Sequence, residues 1–133
     1  MYNIEVAWKF QEIADLLEFR GDNYFKIRAY RHAARVIDNL PESVEELDKS
    51  GKLLQVPGIG KNIAAKIKEM LETGDCDLRR RLLKEIPRGV LEIMTVRGIG
   101  PKRARSLYRE LNITSLEDLE DAAQERQIRK LPG

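Results

Sequence analysis

Two segments of this chain, forty residues apart, read Val56-Pro57-Gly58-Ile59-Gly60-Lys61 and Val96-Arg97-Gly98-Ile99-Gly100-Pro101-Lys102. In each, an apolar residue and one variable residue precede Gly-Ile-Gly, and a basic segment of helical character follows. Gly-Ile-Gly between two helical segments dictates a tight hairpin. The first glycine is free to take the positive φ that a hairpin demands, and the second leaves no side chain where another molecule approaches the backbone. The helix that follows presents its unpaired N–H groups and the positive end of its dipole at the same place, which suits a phosphate. Lys61, Lys102 and Arg103 add matching charge. The expected donors are the backbone amides around Gly58, Gly60, Lys61, Gly98, Gly100 and Lys102, and the expected visitor is a nucleic-acid backbone. Glycines that serve the turn alone are the rival reading, and the recurrence of the same turn argues against it.

Charge supports this by its distribution and not by its sum, which is only +2. Acid gathers in Glu5, Glu12, Asp15 and Glu18, and again in Glu117, Asp118, Glu120 and Asp121. Base gathers in Lys26, Arg28, Arg31 and Arg35, in Arg79, Arg80, Arg81 and Lys84, and in Lys102, Arg103, Arg105 and Arg109. Basic faces on a nearly neutral protein are the electrostatic footprint of DNA binding, although any single run reads equally well as a solvated helix face. Cys76 is the only cysteine and His32 the only histidine, so neither an internal disulfide, a zinc cluster nor a histidine-based catalytic triad is expected. No apolar run approaches membrane-spanning length and no signal segment opens the chain, which points to a reducing, cytoplasmic setting without a membrane partner.

Helical periodicity dominates, and no stretch alternates as a strand does. Ile4, Ala7, Phe10, Ile13, Ala14 and Leu17 mark one apolar stripe, closed by Gly21. A second helix is expected from Asn23 to Asp38 with Ile27, Tyr30, Ala34 and Ile37 inward, and Ser43 with Glu46 forms a capping-box pattern for a short third. After the first hairpin, Ile63, Ala64, Ile67, Met70 and Leu71 predict a helix ending at Gly74. Residues 1–74 thus form one expected unit, 75–87 a connecting helix or basic linker, and 88–133 a second unit. In the latter, Val90, Leu91 and Met94 lead into the hairpin, a helix runs from Pro101 to about Leu111, and Thr114 or Ser115 caps another with Glu117 or Asp118. Leu131-Pro132-Gly133 repeats the opening of the hairpin motif and then stops, as if a third copy were cut and the chain were the N-terminal portion of a longer protein. The fold class expected is all-α, a helical bundle with two such hairpins.

The paired apolar-x-Gly-Ile-Gly pattern fits helix-hairpin-helix modules in general. The run Phe25-Lys26-Ile27-Arg28-Ala29-Tyr30-Arg31-His32-Ala33-Ala34-Arg35-Val36-Ile37, then Leu40-Pro41 and the first hairpin, resembles the small lyase-type N-terminal domain of the family X DNA polymerases. The second hairpin with Thr114-Ser115-Leu116-Glu117-Asp118-Leu119 is similar to the fingers subdomain beside it, so the resemblance covers essentially the whole chain. It is nearest to the prokaryotic branch, in which a palm and then a PHP phosphoesterase domain would follow as partners in the same chain. Polymerase chemistry needs palm carboxylates around two magnesium ions, and none are expected here. Asp75-Cys76-Asp77 is read as a helix cap and not a metal site.

The resemblance also implies site residues. Members with 5'-deoxyribose-phosphate lyase activity form a Schiff base through a lysine in the helix after the first hairpin, and the matching residue is Lys66. That chemistry requires a neutral amine, with Lys61 and Lys26 as cations that could favour it. Lys26 and Tyr30 match a phosphate-binding lysine and a pocket tyrosine, and Phe25 stands where the family stacks an aromatic on a template base. Asn62 and Leu54, however, occupy positions where basic pocket residues are expected. For Tyr30 and Phe25, core packing is an equal reading, and for Lys66 a solvated helix lysine. Family hairpins often hold sodium or potassium through carbonyls, here those of Leu54, Val56 and Ile59 and of Met94, Val96 and Ile99.

Together these features lead to sequence-independent binding of gapped or nicked DNA, with an active lyase through Lys66 and a protein-interaction module as the two alternatives.

Overall fold

The computed structural model describes residues 1–125 and is all-helical over them. The elements are α1 (Asn3–Arg20), α2 (Tyr24–Asp38), α3 (Val44–Lys49), a 3-10 turn (Leu53–Gln55), α4 (Lys61–Thr73), α5 (Asp77–Glu85), α6 (Arg88–Met94), α7 (Pro101–Leu111) and α8 (Leu116–Gln124). The Leu-Pro-Gly tail lies outside the described residues.

Helices α1 and α2 form the central pair. Gly21 takes φ 80° and ends α1, with its own amide on the Glu18 carbonyl and that of Asp22 on the Leu17 carbonyl. The left-handed cap turns the chain sharply. Two residues later, the Asn23 side chain accepts from the Phe25 and Lys26 amides and starts α2. So short a connection lays the two helices side by side. Phe10, Ile13, Leu16, Leu17, Tyr30 and Ile37 are fully buried there. Each such aliphatic or aromatic burial contributes about 1.5–3 kcal/mol. Ile4 departs from the expected stripe and is 68% exposed. At 3.6 residues per turn it lies about 120° round the helix from Phe10, off the face that α2 covers.

The remaining caps combine agreement with correction. Gly74 ends α4 with φ 86°, Pro101 opens α7, and Ser115 caps α8 through the Asp118 amide while Asp118 accepts from Thr114. Ser43 caps α3, yet by accepting from the Glu45 amide and not through a capping box with Glu46, and the Asn3 side chain reaches across to accept from the Val44 amide. Before α5 the N-cap position belongs to Cys76, so neither aspartate occupies it. Asp75 accepts from the Cys76 amide and from Arg79, and the Asp77 amide is satisfied by Glu69 instead.

Residues 77–85 form α5, and Leu82 and Ile86 join a core that runs on through Val90, Ile93, Ala104 and Leu107. Helix α7 packs on α1 through Tyr108, whose ring meets Phe19 edge-on at 5.6 Å, and through Arg105, whose guanidinium lies flat against Gly21. The first hairpin thus rests on α2 at its Gly58 turn, and the second is carried by α7, which is anchored on α1.

Candidate nucleic-acid interface

The two Gly-Ile-Gly segments have the same backbone. In the first, the Val56 amide donates to Leu53, Ile59 to Val56 and Ala64 to Gly60; in the second, Val96 donates to Ile93, Ile99 to Val96 and Ala104 to Gly100. The distances agree to about a tenth of an ångström: 3.2, 3.1 and 2.9 Å against 3.0, 3.0 and 3.0 Å for all but the first. Gly58 and Gly98 take φ of 95° and 87°, a region that only glycine enters freely. Gly60 and Gly100 are the N-caps of α4 and α7, with φ/ψ of −88°/−177° and −90°/−174°. Any residue adopts that extended backbone, so conformation does not explain the second glycine. Space does: a Cβ at either would meet nothing within 4 Å and would project into the solvent in front of the helix.

What stands behind that open space is a pair of uncapped helix ends. Asn23, Ser43 and Ser115 each satisfy first-turn amides of their helices, whereas α4 and α7 begin at a glycine with no side chain to do so. Their first N–H groups point outward with the helix dipole behind them, the arrangement that receives an anionic oxygen. Lys61 and Lys102 are exposed beside them, and Arg103 is half-buried.

The other expected residues separate into three groups. Phe25 is 76% exposed, its ring edge-on to Tyr24 at 5.7 Å, and Lys26 is exposed next to it. Tyr30 instead is buried with its ring 6.0 Å from Phe10, and its hydroxyl accepts from the Asn62 side-chain amide at 3.5 Å. Lys66 completes this polar cluster: its Nζ donates to Asn62 Oδ1 at 2.7 Å and sits 5.9 Å above the Tyr30 ring. Asn62, at a position where a base was expected, thus holds the lysine one turn further along the helix. Leu54 is exposed and borders a small apolar concavity with Lys61 and Lys68.

Of the three basic runs, one is consumed internally. Arg79 pairs with Glu12 at 2.8 Å and Asp75 at 2.7 Å and lies over the Trp8 ring, Arg80 pairs with Glu69, and Arg81 with Asp77. Arg79 and Arg80 thus fasten α5 to α1 and α4 and Arg81 pairs within α5, while Lys84 is exposed with no ion pair to a described residue. Arg31 is likewise spent on Asp15 and Glu18. Burial raises the Asp15 carboxyl from its ordinary value, against the lowering effect of Arg31. Sequence runs of like charge gave little sign of this, because Glu12, Glu69, Asp15 and Glu18 come from other helices than the bases they neutralise.

Two further residues matter that sequence reasoning passed over. Gly89 in α6 faces the Thr114 carbonyl so closely that a Cβ would collide with that backbone. His32 lies against the turn of the first hairpin, its Nε2 placed 2.9 Å from where a Gly58 Cβ would be. Among the described residues, no group of three or more His, Cys, Asp or Glu is placed to hold a metal, and no helix is long and apolar enough to cross a membrane.

Two helical hairpins of one backbone stand in tandem, each presenting a bare helix N-terminus. Comparison with known proteins finds the same motif. Residues 1–76 match the helix-hairpin-helix domain family, and residues 90–133 match a SAM-like helix-hairpin-helix tandem. The chain belongs to the helix-hairpin-helix domain family, as the counterpart of the N-terminal part of a family X DNA polymerase. It is 31% identical over all 133 residues to the DNA polymerase/3'-5' exonuclease PolX of Bacillus subtilis (strain 168). It is also 26% identical over 123 residues, 92% of the chain, to DNA polymerase lambda of Rattus norvegicus. It spans 23% and 20% of the length of those two relatives.

Proposed function

We propose that this chain binds DNA through its backbone, without regard to sequence, at gaps or nicks bearing a 5'-phosphate. DNA binding in a polymerase context is what the matched family and the polymerase relatives support. The observation that carries the finer reading is the duplication: two identical hairpins, each with a glycine that no internal constraint requires, Gly60 and Gly100. Two separated grips suit a discontinuous duplex, with α4 holding the strand downstream of the break and α7 the upstream side. Glycine hairpins offer amides and no base-reading side chains, so contacts fall on phosphate and carry no sequence information.

A monovalent cation is part of this proposal. The loop carbonyls of Leu54, Val56 and Ile59, and of Met94, Val96 and Ile99, are neutral donors with no carboxylate among them, which fits sodium or potassium better than a divalent ion. Val56 and Val96 each spend one lone pair on the turn and keep a second. Such an ion, when bound, supplies a positive charge between loop and phosphate.

Lyase chemistry is not part of it. Schiff-base attack needs a neutral, free amine, whereas Lys66 Nζ donates to Asn62 and faces the Tyr30 ring, both contacts that suit a cation. Borohydride trapping on a 5'-deoxyribose-phosphate gap is expected to give no adduct; an adduct lost in Lys66→Ala would establish the lyase instead.

The test of the main reading is fluorescence anisotropy with gapped and nicked duplexes of several sequences, at several salt concentrations. Affinities that match across sequences and fall steeply with salt are expected. Strong sequence preference or salt-independent affinity would sink the proposal, as would wild-type binding by Gly60→Val and Gly100→Val together, the behaviour of a protein-docking module.

A further inference from the structure

The second hairpin uses the basic run of α7 only at its start. Lys102 stands beside Gly100, but Arg105 and Arg109 lie one and two turns further along the helix. The spacing i, i+3, i+7 puts the three on one helix face, each about 5–6 Å from the next at Cβ. None of them forms an ion pair with a described residue. That face is one wall of a cavity of about 590 Å³, and the corner between α1 and α2 is the other.

Arg105 is the telling member of the row. It is half-buried, and its guanidinium occupies the room that Gly21 leaves by having no side chain. The carboxylates across the cavity are already taken, Glu18 by Arg31 at 3.2 Å and Asp22 by Arg20 at 2.5 Å. A guanidinium drawn partly out of water without an acid of its own keeps donors for an anion, and its planar fork matches phosphate oxygens.

We infer that the seam between α7 and the α1–α2 corner binds a free nucleoside polyphosphate. This goes beyond the hairpin reading and does not depend on it. Three cations in a row are more than one phosphate can use, and they suit a chain of two or three. Tyr24 lines the same cavity with its side chain 65% exposed, and its ring offers a base a face to stack on. The volume is that of a small-ligand site. A nucleic-acid strand fits less well, because acids bound the row: Glu110 follows Arg109 directly, and Glu18 and Asp22 stand opposite. A strand running on would pass carboxylates, whereas a ligand that ends inside the cavity does not.

The experiment is calorimetric titration of the chain with ATP, inorganic tripolyphosphate and adenosine. It compares wild type, Arg105→Ala/Arg109→Ala, Arg109→Ala and Tyr24→Ala. Wild type should bind ATP with a Kd below about 1 mM, tripolyphosphate about tenfold more weakly and adenosine not measurably. The double arginine variant should weaken both phosphate ligands about tenfold or more, while its anisotropy on a nicked duplex stays near wild type. Arg109 is exposed, so Arg109→Ala is expected to fold and to show a smaller loss of the same kind even where a thermal melt finds the double variant unfolded. Tyr24→Ala should bring ATP down to the affinity of tripolyphosphate and leave tripolyphosphate unchanged. No binding of ATP at millimolar concentration would overturn the proposal, and so would wild-type ATP affinity in both arginine variants. A loss on nicked duplex as large as that on ATP would make the row a DNA-binding face and overturn it too. Equal affinity of wild type for ATP and tripolyphosphate would remove the nucleoside from the ligand and, with it, the proposal as stated.

Discussion

The two hairpins share a backbone and differ in what surrounds it. In the first, Gly58 is pressed on Val36 and His32 of α2, and Ile59 is buried to 3% exposure. In the second, a Cβ at Gly98 would meet nothing within 4 Å, and Ile99 is only half-buried. The second hairpin is held from behind instead, by α6 against the Thr114 loop and by α7 against α1. The same motif is thus supported at its turn in one copy and at its flanking helices in the other. The lesson is that Gly-Ile-Gly specifies a shape, and its neighbours decide which residues carry the stability.

The sharpest way to break this contrast is at Gly89. Replacing a helical glycine by alanine ordinarily stabilises by about 1 kcal/mol. Here the added carbon meets the Thr114 carbonyl, a backbone atom with no rotamer to escape into. Gly89→Ala should therefore destabilise, by about 3 kcal/mol, seen as a lower midpoint in urea unfolding. A higher midpoint would show that α6 does not support its hairpin this way.

Next comes the pair Gly58→Ala and Gly98→Ala. Both force a side chain into the left-handed region at about 1–2 kcal/mol. Only Gly58→Ala adds the collision with α2, about 1–3 kcal/mol more. Urea unfolding should rank it clearly below Gly98→Ala, and Val36→Ala in the same chain should narrow the gap by relieving the closer clash. Equal losses would erase the distinction between the two turns.

Gly60→Val and Gly100→Val should each cost only about 1 kcal/mol of stability, the N-cap preference for Gly over Val, since both side chains enter open solvent. Each should weaken DNA binding about tenfold, the scale of one charged hydrogen-bonded contact. Anisotropy on a gapped duplex reads both, and a loss confined to one would assign the grip to a single hairpin.

The smallest effect concerns the seam between the two halves. Arg20 bridges Asp22 at 2.5 Å and Glu85 at 2.8 Å. Hydrogen bonds from Arg20 and then from the Asn23 amide hold the Asp22 carboxyl below its ordinary value of 3.8. A carboxyl lowered on folding stabilises above its unfolded value, and that contribution is lost as the pH falls through the folded one. Asp22→Asn should thus lower the melting temperature by about 2 °C at neutral pH, a modest figure for a partly exposed pair. The difference from wild type should vanish in acid.

The sequence by itself determined the all-helical class, the turn at each Gly-Ile-Gly and the stops at Gly21 and Gly74. These are local matters: a positive φ, a missing side chain, an amide satisfied a few residues away, all set within one turn of chain. Tertiary structure alone decided which charges are free. Arg79, Arg80 and Arg81 read as an electrostatic face, yet their partners Glu12, Glu69, Asp75 and Asp77 come partly from other helices. It also decided that Tyr30 packs on Phe10 while Phe25, five residues earlier, stands in solvent, and that Gly89 is irreplaceable although nothing in its neighbourhood along the chain marks it. Close approach and charge pairing are properties of atoms brought together from distant positions, and a one-dimensional pattern holds no record of which ones will meet.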